Sequence, residues 1–326
     1  MKNRMNMEMK ECAPIIIPTL CRSEHLAHCV ESLKKSRWAK YTRLFISIDF
    51  PPDKKYVEGY NKVKKYVMTQ IDGFKEVIYY IQPRNLGAYE NERFLINEVY
   101  KEYDTFIFTE DDNAFAPSAI EYFNKALMTY RDNNEIIAIC AHSKKKYIDG
   151  SNNTFLLPAF SAYGYATWKH KEQVYQHELT KDYFYNILKN KEILKKVNAK
   201  RLLYVRTLLS IVYEKEQVHI WKENKIAGTD LAISLYMLCE NKYALYPKCL
   251  LSRNFGYDGS GMNCGNKRVA HESKIDNRDG FSLKKNEYEI KEIEDYSKNN
   301  IGEKVYFFIY RMQELFFPIY SYIKLK

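Results

Sequence analysis

Thr105-Phe106-Ile107-Phe108-Thr109-Glu110-Asp111-Asp112-Asn113 is the stretch on which the fold turns. Its first half is β-branched and aromatic, the composition of a buried strand. Its second half gathers three consecutive carboxylates. Four similar runs surround it: Ala13 to Pro18, Arg43 to Asp49, Glu76 to Gln82, and Ile136 to Ala141. Between them the apolar spacing changes to that of amphipathic helices, over Ser23 to Ser36, Lys55 to Gln70, Glu90 to Tyr100 and Pro117 to Arg131. Ser23 is placed to cap the first helix, and Pro117 to open the last. Strand and helix in strict alternation predict an α/β fold, a mostly parallel central sheet flanked by helices on both faces. In such sheets ligands lie beyond the carboxyl ends of the strands. Pro18 to Arg22, Asp49, Gln82 to Gly87 and Glu110 to Asn113 are therefore the places for chemistry.

Composition narrows the class. Of 326 residues, 46% are hydrophobic and 28% charged, which excludes disordered, collagenous and low-complexity chains. A net charge of +10 and an aromatic share of 15% suggest a nucleic acid, an anionic membrane or a phosphorylated substrate as partner. The seven cysteines are scattered without a CxxC or a zinc-like spacing, and Cys140 sits inside an apolar run. Reduced core thiols and a reducing compartment are the expectation. Met1 to Glu11 is charged and lacks the apolar stretch of a signal peptide. No run of about 18 apolar residues exists to span a bilayer. A cytoplasmic protein is expected.

Beyond Ser143 the rhythm breaks. Pro158 to Trp168 is dense in aromatic residues and glycine, Lys181 to Asn224 is helical and basic, and Thr229 to Glu240 reads as a helix. Tyr243 to Leu251 is strand-like, and Asn254 to Gly265 is a glycine-rich loop. The last stretch, from Val305, is aromatic and helical in pattern.

Three adjacent carboxylates repel one another and need compensation. A divalent cation such as Mg²⁺ or Mn²⁺ supplies it, commonly with one or two carboxylates plus substrate phosphates. Along an extended strand end Glu110 and Asp112 point one way and Asp111 the other. A solvated loop leading into the next helix is the alternative. Asp49 is either an acceptor facing a base or a turn residue before Pro51-Pro52. Arg22 is either a cation facing a nucleotide or an exposed helix-start residue. Both pairs of readings stay open on the residues alone.

Taken in order, the Pro18-Thr19-Leu20-Cys21-Arg22 loop, Asp49, Arg84-Asn85-Leu86-Gly87 and Thr109-Glu110-Asp111-Asp112 resemble a GT-A glycosyltransferase. The likeness is closest to the N-acetylglucosaminyltransferase I type and its bacterial relatives, in which an EDD triplet precedes a proline and an amphipathic helix. Ala162-Tyr163-Gly164-Tyr165-Ala166-Thr167-Trp168 resembles a WGWATW-like element of those relatives, with tyrosine twice in place of tryptophan. Tyr246-Pro247, Ser252 to Gly256 and Gly259-Ser260-Gly261 resemble the group's later loop. The resemblance spans roughly residues 13–265. It divides the chain into a short N-terminal extension (1–12), a donor half (13–143), an acceptor half (144–265) and a helical C-terminal extension (266–326).

The resemblance implies a role for each residue. Asp112 would bind the Mn²⁺ or Mg²⁺ that bridges a donor diphosphate, Asp111 the ribose and Glu110 the transferred sugar. Asp49 would take uracil with Arg22 nearby, and Ser260 would close over the diphosphate. Asp230 would be the base for an inverting displacement, although it could equally cap the helix that follows. A nucleotide-sugar donor and a saccharide or lipid-linked saccharide acceptor are the implied partners. Asn263 stands where many bacterial relatives have histidine, which bears on the substrate more than on the reaction.

Two other classes compete. A nucleotidyltransferase would want a lysine-rich triphosphate loop after the first strand, where only Arg22 stands. A nucleic-acid-binding protein finds no RNP-like, zinc or helix-turn-helix signature, so no nucleic acid is expected. Residues 101–150 hold six basic and nine acidic groups, while residues 181–225 hold eleven and five. The basic surplus thus avoids the triplet. Residues 181–225 and 305–326 are candidates for peripheral contact with the inner face of the cell membrane.

Overall fold

A computed structural model describes residues 12–69, 71–198, 204, 207–208, 211–212, 220–221, 225–226, 230–260 and 274–293. The expectations placed on 305–326 lie outside these residues, as do those on much of 199–229. Two compact units are built from them. One comprises Met1–Tyr175 and Lys242–Lys291, the other Gln176–Asn241 and Glu292–Lys326.

The first unit holds the expected sheet. Its strands are β1 (Ile15–Thr19), β2 (Arg43–Ile48), β3 (Glu76–Ile81), β4 (Thr105–Phe108), β6 (Ile136–Cys140), β7 (Thr154–Leu157), β8 (Tyr165–Trp168), β11 (Tyr243–Pro247) and β13 (Tyr288–Ile290). They lie in the order β13-β7-β11-β6-β8-β4-β1-β2-β3. β1, β2, β3, β4, β6 and β11 run one way, while β7, β8 and β13 run the other. The sheet draws β13 from beyond residue 265, in the stretch that the sequence assigns to a C-terminal extension. A separate two-stranded pair joins β5 (Asn113–Phe115) to β12 (Ser252–Asn254), antiparallel.

Alternation along the strands divides the core between two faces. Ile15, Ile17, Leu44, Ile46 and Ile107 meet α1 (Ser23–Lys34), α2 (Val57–Thr69) and α4 (Ala119–Thr129) through Leu26, Val30, Leu33, Val63, Ile120 and Phe123, all buried. On the opposite face α3 (Ala88–Val99) packs on β1 and β2 and buries Leu95, Ile96 and Val99. Cys140 is buried, and no disulfide joins the described cysteines. No helix among the described residues is long and apolar enough to cross a membrane.

The amino edge of the sheet is held by a buried lysine. α5 (Lys169–Glu178) follows β8 directly and directs Lys171 at the end of α4. Its Nζ donates to the carbonyls of Tyr130 (2.9 Å), Asn133 (2.8 Å) and Ile136 (2.8 Å) and lies 3.7 Å from the Trp168 ring centroid. The Trp168 indole donates to the Leu127 carbonyl at 3.0 Å. The last carbonyls of a helix have no partners of their own, and burial lowers the Lys171 pKa to about 7. Trp168 is thus a core residue. Tyr165, also buried, donates its hydroxyl to Glu92 at 3.3 Å, so this tyrosine-for-tryptophan position serves packing.

The second unit contains α6 (Lys181–Lys189), α7 (Lys191–Asn198), an antiparallel pair of β9 (Ile220–Trp221) and β10 (Lys225–Ile226), and α8 (Asp230–Cys239). Thr180 caps α6 by accepting from the Tyr183 amide, and the Tyr183 hydroxyl donates to Glu240 at 2.8 Å.

Lys171→Met takes a donor from the carbonyls of Tyr130, Asn133 and Ile136, although Tyr130 still accepts from the Asn133 amide at 3.2 Å. It should lower unfolding stability by about 3 kcal/mol or more, measured by urea melts. Val174→Ala, on the exposed side of α5, should change it by less than about 0.5 kcal/mol.

Candidate functional site

Neighbouring parallel strands β4, β1, β2 and β3 deliver their following loops to one edge. The ladder ends unevenly there. β4 leaves it at Phe108, level with Ile16, whereas β1 continues to Thr19. Glu110 to Asp112 therefore turn across the end of β1 instead of extending past it. This corrects the expected alternation of the triplet, because Asp111 and Asp112 converge on one partner.

That partner is Arg22. Its Nη2 pairs with Asp111 Oδ1, and its Nη1 lies 2.8 Å from Asp112 Oδ2. The other oxygen of Asp111 accepts from the Thr19 hydroxyl at 2.7 Å. The other oxygen of Asp112 accepts from Asn254 Nδ2 at 2.7 Å. Asp111 is 3% exposed and Asp112 is 5% exposed, while the Arg22 side chain keeps 20%. Burial pushes the Asp111 carboxyl above its ordinary range, against the pull of Arg22 and Thr19. Burial alone would lower the Arg22 pKa, but the two aspartates outweigh it and raise it.

Local backbone explains the reach of Arg22. It occupies the N-cap position of α1, the place expected for Ser23, and its carbonyl accepts from the Leu26 amide at 2.9 Å. Its side chain makes no cap and remains available to the carboxylates. On the far side, β12 pairs with β5 directly after the triplet, Asn254 opposite Asn113. Gly256 follows, and a Cβ there would stand 2.1 Å from Asp112 Oδ2, so only glycine lets this strand end press on the carboxylate.

Asp49 is buried one loop away and serves a different structure. Oδ1 accepts from the amides of Phe50 (2.8 Å) and Leu86 (2.8 Å), and Oδ2 from the Gly87 amide (2.9 Å) and Asn85 Nδ2 (3.0 Å). These four donors fill the acceptor sites of a carboxylate. Asp49 thereby anchors the Arg84–Gly87 loop and the start of α3, where Gly87 has a φ of +80°.

The remaining expected residues are less tightly assembled. Glu110 is half-buried, and its carbonyl accepts from the Thr109 hydroxyl at 2.9 Å. Ser260 is exposed. Its hydroxyl and amide both bond Asp258 and hold that carboxyl below its usual range, and Asp258 pairs with His25 of α1 at 3.1 Å. Asp230 opens α8 in the second unit, half-buried, with its carbonyl accepting from the Ser234 hydroxyl at 2.5 Å. The structure thus joins Arg22, Asp111 and Asp112, and sets Asp49 and Ser260 in hydrogen-bond networks of their own. Thr19, Asn254 and Gly256 are the partners that the sequence reading missed. Thr19 lay inside the quoted Pro18 to Arg22 loop. Asn254 and Gly256 lay inside the quoted Ser252 to Gly256 segment, but nothing local tied Asn254 to Asp112, 142 residues away.

No protein-family model matches the chain, and no curated protein is significantly similar to it. Solved structures do align with it. The crystal structure of S. aureus TarS is 12% identical over 43% of this chain and 24% of its own, with a TM-score of 0.32. The mannosyltransferase PcManGT from Pyrobaculum calidifontis, in complex with GDP-Man and Mn²⁺, is 9% identical over 53% and 51%, at 0.34. Mouse xyloside xylosyltransferase 1, in its apo form, is 10% identical over 71% and 83%, at 0.38. The chain therefore spans about a quarter of TarS and half of the mannosyltransferase.

Asp49→Asn turns one acceptor oxygen into a donor facing loop N–H groups. It should cost about 1–3 kcal/mol and speed hydrogen exchange at the Leu86 and Gly87 amides. Unchanged protection of those two amides would contradict the anchoring role.

Proposed function

We propose that this chain is a glycosyltransferase that moves a sugar from a nucleotide-sugar, of the UDP type, to a free or lipid-linked saccharide. The observation that carries the reading is one edge of the sheet. There a buried pair of carboxylates meets a partly exposed guanidinium, beside two further strand-end loops, those after β2 and β3. A diphosphate is the ligand such an arrangement suits, because arginine binds phosphate with two parallel donors while the acids address hydroxyls or a cation. The resemblance of the same loops to the GT-A group supports it further.

The residues fit a divalent cation by donor chemistry. Asp111 and Asp112 are hard oxygen ligands, and one guanidinium between two carboxylates leaves a negative charge in place. No three acidic, histidine or cysteine side chains form a metal group among the described residues. A small octahedral ion does not require one, since it commonly takes one or two carboxylates with substrate phosphates. Asp112 would hold Mn²⁺ or Mg²⁺, which when bound neutralises the departing diphosphate.

The chain's own residues do the rest. Arg22 orients the diphosphate, Asp111 accepts from ribose hydroxyls, and Glu110 accepts from the sugar. Asp230 takes the proton of the acceptor hydroxyl as its oxygen displaces the nucleoside diphosphate at the anomeric carbon with inversion. Ser260, on the segment that follows β12, contributes a hydroxyl to the bound donor.

Incubation with a panel of UDP-sugars and Mn²⁺, followed by assay of UDP release, tests the reading. Turnover with at least one donor is the expected result, and none across the panel would overturn it. Asp112→Asn should lower turnover on the order of a hundredfold or more while the fold persists by circular dichroism. Asp230→Asn should cut transfer to acceptor by about a hundredfold with donor affinity unchanged in calorimetry.

A further inference from the structure

We propose that Arg22 is the counter-cation of Asp111 and Asp112 before a donor arrives, and that its release links divalent-cation binding to diphosphate binding. The inference rests on the donor-site reading above.

The four carboxylate oxygens are divided in a telling way. Thr19 and Asn254, both neutral, hold one oxygen of each aspartate. Arg22 holds the other two and bridges them. Gly256 closes in on Asp112 so tightly that a single added carbon would stand 2.1 Å from Oδ2. The neutral donors fix one oxygen of each carboxylate, which leaves the two oxygens held by Arg22 for another cation, and Gly256 has no side chain to cover Asp112 Oδ2. Two cations cannot share those oxygens, since like charges so close and so little hydrated repel strongly.

Arg22 is also the member able to move. It keeps 20% of its surface while its partners are nearly buried, and its main chain is secured by the bond from the Leu26 amide. Only the side chain has to swing. A guanidinium released at this edge finds its next best partner in a diphosphate, which it grips through two donors. Without diphosphate, each incoming cation must strand the arginine. With diphosphate, both cations have anions. The two ligands therefore bind with positive coupling, and reciprocity requires each to raise the affinity of the other equally.

The test is Mn²⁺ binding, followed by the electron paramagnetic resonance of free Mn²⁺, with and without UDP. Wild type, Arg22→Gln and Arg22→Lys are compared, each checked for folding by circular dichroism. Wild type should bind Mn²⁺ weakly alone and about tenfold or more tightly with UDP. Arg22→Gln should bind Mn²⁺ alone about tenfold more tightly than wild type and lose most of the UDP enhancement. Arg22→Lys, which keeps the charge without the bridging fork, should lie between, and it carries the test if the glutamine variant does not fold. Equal or weaker binding of Mn²⁺ alone by the variants overturns the inference and leaves the donor reading in place. If wild type binds no Mn²⁺ even with UDP, the metal-dependent reading falls and takes the inference with it.

Discussion

Two adjacent aspartates, both nearly removed from water, are the constraint around which this site is organised. Each buried carboxylate carries a desolvation cost of several kcal/mol, and their mutual repulsion adds to it. The chain meets that cost with one guanidinium, one hydroxyl and one amide, drawn from Arg22, Thr19 and Asn254. Remove the uneven end of the sheet and the arrangement fails. Because β4 stops level with Ile16, the acidic turn lies against β1 and not in solvent. Because β12 pairs with β5, an asparagine reaches the far side of Asp112.

The two edges of the sheet divide the work. At the amino edge Trp168 and Lys171 donate to carbonyls at the end of α4, in the turn after it and at the start of β6, a purely structural use of a buried amine. At the carboxyl edge the cation, Arg22, is partly exposed and faces acids that outnumber it. Asp49, at the same edge, is held by its own loop. Its carboxylate is saturated by loop donors, so its contribution runs through the Arg84–Gly87 loop that it shapes.

What could be read in advance follows from how local each signal is. The apolar runs of β1 to β4 and β6 are continuous and short, and they form where the pattern places them. Helix starts were less legible. Ser23 has the chemistry of a cap, yet Arg22 takes that position and Ser23 becomes helical. Side-chain alternation does not hold at Glu110 to Asp112, because it requires an extended chain and the strand ends at Phe108. Nothing local announces that β8 enters the sheet between β4 and β6, or that β13 returns from beyond residue 265.

Sequence alone determined the α/β class, the succession of strand-end loops and the chemical types gathered on them. Hydrophobic periodicity carries that information within about ten residues at a time. Only the tertiary structure decided which oxygen meets which donor. Arg22 and Asp112 are 90 residues apart, and Asn254 lies 142 residues beyond Asp112. Such contacts are created by strand register and by the small size of Gly256, neither of which leaves a trace in neighbouring residues. The acidic triplet was visible from the start as a charge that needed compensation. The fold supplied the identity of the compensating group, an arginine already in place, because burial makes an unpaired pair of carboxylates too costly to leave open.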